Sequence, residues 1–258
     1  MGDAKRLIVK PISAQDANRI IKALHYSGKV VNNSQVHLGV FLDGKCGGAM
    51  QFGPSLDKRK MLGLVTGTGW NEFLELNRLA FADWLPRNGE SRAIGFALRW
   101  LKQTYPWLQW VVSFADGTQC GDGTIYRASG FVLTGMSSRG AMIRLPSGEV
   151  RHRIACNTNA EMVAKHGGGM LGAERLAVQL GGQRLKGFQL RYIYFLDPTA
   201  LARLTVPVLP FSAIDAAGAG MYRGQPRGQS AENGTAPPSA GGGVIPTCSL
   251  HSEGMAPH

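Results

Sequence analysis

The chain has 258 residues, 44% of them hydrophobic, and a formal net charge of +11. That length and composition describe one large or two small globular domains, and a sequence pI of about 9.8 favours a polyanionic partner, because each phosphate neutralised by Lys or Arg releases counterions. The four cysteines, Cys46, Cys120, Cys156 and Cys248, show no C-x-x-C spacing and are too few for a disulfide framework, which leaves idle buried thiols as the expectation.

Leu7-Ile8-Val9 is too short an apolar stretch for a signal peptide or a membrane span, and reads as a first strand ended by Pro11. Ser13 can N-cap a helix to Leu24, with Ala17, Ile20, Ile21 and Leu24 at helical spacing. Strands over 36–42 and 46–52 are joined by Asp43-Gly44, a strong hairpin turn. Another strand covers 73–81. Ser91 can cap a helix that runs to Thr104 and stops before Pro106. A strand from Trp110 ends at Asp116, and a short helix bearing Tyr126 closes at Gly130-Phe131. A strand then starts at Phe131, strands over 142–145 and 150–154 flank the turn Pro146-Ser147-Gly148-Glu149, and 189–196 is a late strand. From Ala216 onward Gly, Ala, Pro and Ser dominate, so 216–258 is expected to be a disordered tail behind a catalytic domain of residues 1–215.

This order predicts an α/β fold with a mixed, mainly antiparallel sheet flanked by helices. It resembles the GCN5-related N-acetyltransferase (GNAT) plan, in which the strand ending at Asp116 and the helix of Tyr126 form half of the active site.

The positive charge is concentrated. Between Arg127 and Arg203 eleven Lys or Arg face four acids, a balance of +7, whereas the tail adds almost nothing. Arg127, Arg139, Arg144, Arg151 and Arg153 are the candidate DNA contacts, the last two beside a hairpin turn that could rest on a phosphate backbone.

Several residues could carry chemistry. Asp116 follows an apolar run, where a carboxylate can accept a proton, bind a metal or simply cap the strand end; Asp122 is a weaker candidate in the same loop. Tyr126 offers a phenol of pKa near 10 that could protonate a leaving group, or could be a packed aromatic. Arg87-Asn88-Gly89-Glu90-Ser91 has one glycine where a phosphate-binding helix start would want two, so Ser91 reads as a cap or as a donor contact. Arg78 needs an anionic partner if buried. His25 can act as a base or a ligand, or sit at a helix C-terminus favoured by the dipole. His37 is expected to be strand filler. Trp70, Trp84 and Trp100 are core candidates, or base-stacking residues if exposed.

His25-Tyr26-Ser27-Gly28-Lys29, Gln51-Phe52-Gly53, Glu75-Leu76-Asn77-Arg78-Leu79, Ser113-Phe114-Ala115-Asp116 and Thr124-Ile125-Tyr126-Arg127-Ala128 together resemble the phage Mom family, from the first strand to Ser212. The resemblance implies a DNA hypermodification enzyme of GNAT-like fold, acting in the host cytoplasm. Its product would be N6-carbamoylmethyladenine, which evades restriction. By the same resemblance His25, Tyr26 and Asp116 would bind iron or act at the catalytic centre, with Tyr126. Arg78, Ser91 and Tyr126 would serve the acyl donor, either acetyl-CoA or glycyl-tRNA. Double-stranded DNA is the implied partner, with tRNA if the donor is aminoacylated, and a homodimer is compatible with it. Two other classes fit the residues. One is an acetyl-CoA-dependent N-acetyltransferase of a protein or small amine, and the other a DNA-binding protein that shields sites by occupancy.

Overall fold

The computed structural model describes residues 3–116, 121–137, 142–185, 187–219, 221–222 and 225–226. Arg139 and most of the expected tail lie outside them. The chain divides into two units. Met1–Val111 and Phe195–Leu204 belong to the first, and Val112–Tyr194 with the described residues after Leu204 to the second.

In the first unit β1 (Ile8–Pro11), β2 (Val36–Leu42), β3 (Lys45–Gly53) and β4 (Phe73–Phe81) form an antiparallel run in sequence order. The β2–β3 turn has positive φ at both Asp43 (51°) and Gly44 (79°), the geometry that matches strand twist in a two-residue hairpin. Helix α1 (Ala14–Leu24) starts at Ser13, whose side chain accepts a hydrogen bond from the Asp16 amide (3.0 Å). Its Ala17, Ile20 and Ile21 pack with Phe41, Cys46, Ala49 and Ala80. Burying each of the two isoleucines stabilises by about 1.5–3 kcal/mol. A short α2 (Lys58–Leu62) follows β3, and α3 (Gly89–Thr104) follows β4.

The β3–β4 register shifts once. Gln51 pairs with Arg78 and its neighbour Phe52 with Leu76, so Asn77 is an extra residue on β4. Such a bulge bends the strand and re-aims the side chains beside it.

The second unit contains the end of β5 (Trp110–Asp116), α4 (Thr124–Ala128), β6 (Val132–Ser137) and β10 (Gln189–Phe195), with β10 between β5 and β6 and antiparallel to β6. Between β6 and β10 the chain builds a lobe of its own. Here β7 (Met142–Arg144), β8 (Val150–His152) and β9 (Gln183–Arg184) form a three-stranded sheet beside α5 (Arg153–Thr158), α6 (Ala160–His166) and α7 (Ala173–Gln179). Ile143, Leu145, Cys156, Met162, Leu176 and Ala177 are its core. A last helix, α8 (Ser212–Ala216), lies in the same unit.

The architecture is therefore mixed α/β with mainly antiparallel sheet flanked by helices, as expected. Local expectations needed correction. Strand β8 stops at His152 because that side chain caps α5, Nδ1 accepting from the Ile154 amide (3.2 Å). The lobe helices were not foreseen. Each has one or two apolar anchors, too few to establish a period. Trp70 and Trp84 are exposed rather than core, each with a lysine ammonium over its ring. Among the described residues no helix is long and apolar enough to cross a membrane.

Gly123 is required where it stands. Its φ is +80°, and a Cβ there would lie 2.5 Å from the Tyr192 ring. Gly123→Ala is expected to lower unfolding free energy by about 2–4 kcal/mol, combining left-handed strain with overpacking. Urea denaturation monitored by tryptophan fluorescence would measure the loss.

Candidate active site

In the first unit the loop after α1 and the bulged part of β4 meet at Arg78. Its Nε donates to the Lys29 carbonyl (3.0 Å) and its Nη1 to the Asn77 carbonyl (2.7 Å). The bulge presents Asn77 to Ser34, whose hydroxyl donates to Oδ1 (3.1 Å), and to the Pro54 carbonyl (3.4 Å). Burial pulls the Arg78 pKa down, while Tyr26 and Glu75 oppose the shift. Burial likewise raises Glu75.

His25 is the C-cap of α1, its amide still donating to the Ile21 carbonyl (2.9 Å). Its pKa is lowered to about 4, first by burial and then by the Arg78 guanidinium. The ring is therefore neutral at pH 7. The Ser27 amide donates to Nδ1 (3.2 Å), and the Ser27 hydroxyl lies 2.8 Å from the same nitrogen. An amide can only donate, so Nδ1 is the acceptor and the neutral ring carries its proton on Nε2. His25 is thus set up as a hydrogen-bond donor through Nε2 rather than as a base. Tyr26 lies against it with ring centroids 4.2 Å apart and is 52% exposed, so an apolar face is open to a planar ligand.

This chemistry does not suit iron. One imidazole stands beside a guanidinium, and a metal cation would be repelled by it. Among the described residues no group of three His, Cys, Asp or Glu could hold a metal. The expected iron set of His25, Tyr26 and Asp116 is accordingly not carried further.

Ser91 does not cap α3. Asn88 does so from a left-handed conformation (φ 65°) without a side-chain cap bond, and the Ser91 hydroxyl turns back to the Asn88 carbonyl (3.3 Å). Glu90 stands in the same first turn, its carboxyl pushed up by burial and then by Asp83. An acid in the first turn opposes a polyphosphate.

Gln51, on β3, is a polar residue that sequence reasoning named only in passing. It is fully buried, and its amide nitrogen donates to the Asn18 side chain (2.8 Å) and lies 3.2 Å from His37 Nδ1. His37 is thus part of a polar network rather than filler. The signal available was a Gln in the middle of an apolar strand.

In the second unit alternation along β5 puts Phe114 and Asp116 on one face, both half-buried, whereas Ser113 and Ala115 on the other are buried. Asp116 is the last residue of the strand. Ser113 is fully buried, and among the described residues its hydroxyl has no hydrogen-bond partner. Tyr126 lies on α4, 7% exposed, its ring 5.4 Å from Phe131 and 5.3 Å from Tyr192. Tyr192 donates its hydroxyl to the Asp122 carbonyl (2.5 Å). Asp122 is itself buried, its Oδ1 accepting from Thr124 (2.9 Å). The position of Tyr126 is therefore set by β10 through Tyr192. Arg127, exposed on the same helix, covers the Phe211 ring at 4.3 Å.

Of the other basic candidates, Arg144 is exposed on β7, Arg151 pairs with Glu149 (2.6 Å), and Arg153 opens α5. Among the described residues buried His166, at the end of α6, has no hydrogen-bond partner for either ring nitrogen.

Comparison with known proteins places these residues in one family. The model of the Mom protein family matches residues 6–213, a span containing every candidate from His25 to Arg153. The chain belongs to the Mom protein family. A Mom relative from Escherichia phage Mu, named methylcarbamoylase mom, is 39% identical over 202 residues, 78% of this chain and 80% of that protein. Among solved structures, this Mom chain is similar to a GNAT family acetyltransferase from Streptococcus pneumoniae (12% identity, TM-score 0.40, 73% of this chain and 98% of that one). A second is the ribosomal-protein-S18-alanine N-acetyltransferase from Escherichia coli (9%, 0.40, 74% and 94%). Similarity at that level bears on neither substrate nor donor.

Replacing Arg78 with Gln removes the cation beside the imidazole. The His25 pKa is then expected to rise from about 4 yet stay below 6.5, since burial is the larger cause. Imidazole NMR titration would follow it. The folded state binds the His25 proton more weakly than the unfolded chain, so His25 lowers stability as pH falls from about 6.5 to about 4, and His25→Gln should flatten that dependence.

Proposed function

We propose that the chain is a phage DNA hypermodification enzyme that converts adenine in DNA to N6-carbamoylmethyladenine, and so protects that DNA from host restriction. The observation that carries this reading is membership of the Mom family over residues 6–213, together with 39% identity to a relative named methylcarbamoylase. The +11 charge agrees with a DNA substrate.

The chemistry sets the roles. Adenine N6 is paired inside the duplex, so the base must leave the stack. Tyr26, exposed and lying against His25, offers a face on which a base can stack. His25 Nε2–H is a donor for an acceptor on the nucleic acid. The N6 lone pair is delocalised into the ring, so attack needs a base and an activated donor. Asp116 takes the N6 proton as the new bond forms. Tyr126 gives its phenolic proton to the departing oxygen or sulfur of the donor.

The donor is a glycyl ester, and glycyl-tRNA is the source that matches it. Acetyl transfer would leave no second nitrogen on the product. Glycyl transfer forms the N6–C(O) bond and releases the tRNA hydroxyl, giving an isomer of the carbamoylmethyl product. The glycyl amine then attacks C6 through a five-membered ring. The bond from C6 to the original N6 breaks, that nitrogen leaves as the amide NH2, and no atom is gained or lost. Glu90 in the first turn of α3, with Asp83 near enough to act on it, disfavours a pyrophosphate there, which agrees with a donor other than acetyl-CoA. Arg78 holds the loop bearing His25 and Tyr26 in place, and Ser91 remains a polar group at the donor side.

Nucleoside mass spectrometry of plasmid DNA from expressing cells tests the product. Asp116→Ala and Tyr126→Phe should each reduce it by about 10²-fold or more, the range for loss of a general base or acid. Label from glycyl-tRNA should enter adenine in a purified reaction. Entry of acetyl-CoA label instead would overturn the donor. Acetyl-CoA turnover without DNA would favour the small-amine reading, and protection retained by both variants would favour shielding by occupancy.

A further inference from the structure

The lobe between β6 and β10 carries charge in a particular way. Its three described acids are each paired: Glu149 with Arg151 (2.6 Å), Glu161 with Lys165 (3.0 Å) and Glu174 with Arg184 (3.3 Å). Arg144, Arg153 and Arg175 have no ion pair among the described residues, so they form the surplus.

In the same lobe α6 ends in a run of three glycines. Gly167, Gly168 and Gly169 have φ of 78°, 84° and 81°, and a Cβ on any of them would meet nothing within 4 Å. Free space means that packing does not demand glycine here. The left-handed backbone does, since any other residue would cost roughly 1–2 kcal/mol at each position. The run is fastened at both ends. The Gly167 amide donates to the Val163 carbonyl (3.0 Å). Beyond it, buried Asn157 grips Leu171 twice, Oδ1 accepting from its amide (2.9 Å) and Nδ2 donating to its carbonyl (3.0 Å), and also donates to the Arg153 carbonyl (3.0 Å). Met170 stands between these fastenings, 66% exposed. An unbranched apolar side chain is thus held out to solvent on a shaped loop, on a lobe with three surplus guanidinium groups.

We infer that Met170 is a wedge that enters the base stack of duplex DNA and fills the space left by the extruded adenine, while Arg144, Arg153 and Arg175 hold the flanking phosphates. Methionine is among the side chains that proteins insert between base steps, and surplus cations on the lobe that carries the apolar tip complement a polyanion with an apolar interior. The assignment rests on the reading of duplex DNA as substrate.

The test uses the full chain and duplex DNA in which a fraction of the adenines is replaced by 2-aminopurine. Anisotropy reads binding, and 2-aminopurine fluorescence reads unstacking. The wild type should bind and raise the fluorescence. Met170→Ala should bind comparably and lose most of the rise, with modification of duplex slowed on the order of tenfold, because unstacking costs a few kcal/mol that the wedge offsets. Met170→Leu should keep both. Adenine placed opposite an abasic site should be modified equally by the wild type and Met170→Ala. An equal rise with Met170→Ala, no rise with the wild type, or no binding overturns the wedge. If the product forms and Met170→Ala makes no difference, the wedge fails and the function stands. If unstacking depends on Met170 and adenine stays unmodified, the function fails and the wedge stands.

Discussion

The guanidinium of Arg78 is the constraint on which the cluster of His25 and Tyr26 depends. It is partly buried, so it must be satisfied, and it finds carbonyls at Lys29 and Asn77 rather than a single carboxylate. Gripping Lys29 fixes the loop that bears His25 and Tyr26. The charge that makes the grip strong also adds to the burial that lowers the His25 pKa. One side chain therefore fixes the shape of the cluster and reinforces its protonation state. The bulge at Asn77 makes this possible, because a regular register would send Arg78 to the opposite face of the strand.

The second unit uses another device. Tyr126 has no room to choose its place. Phe131 and Tyr192 hold its ring, and Tyr192 in turn occupies the space that any side chain at position 123 would need. A phenol locked by packing is suited to a task requiring a fixed direction, since a loose side chain would lose the geometry that proton transfer needs.

Much of this was legible in the sequence where local signals agreed. Ser13 as a cap, Asp43-Gly44 as a turn and Asp116 at a strand end each follow from short-range chemistry, and each stands where expected. Ser91 was misplaced because a serine near a helix start competes with residues that cap through backbone conformation, as Asn88 does here. The depressed basicity of His25 was not legible, because it comes first from burial in the tertiary fold and then from an arginine more than fifty positions away. The lobe helices were not legible either, since their stability comes from a shared core that no single segment advertises.

The hydroxyl of Tyr192 and the carbonyl of Asp122 are 70 positions apart in the chain. Between them lies the whole lobe, so α4 cannot settle until synthesis has passed β10 and a long loop has closed. Contacts of such separation form slowly, because closure entropy is lost before the contact repays it. During translation the first unit can collapse around α1 while this helix still waits for its partner strand. The seat of Tyr126 would then appear late and all at once, and a ribosome stalled before residue 192 would leave a nascent chain in which that phenol is not yet held.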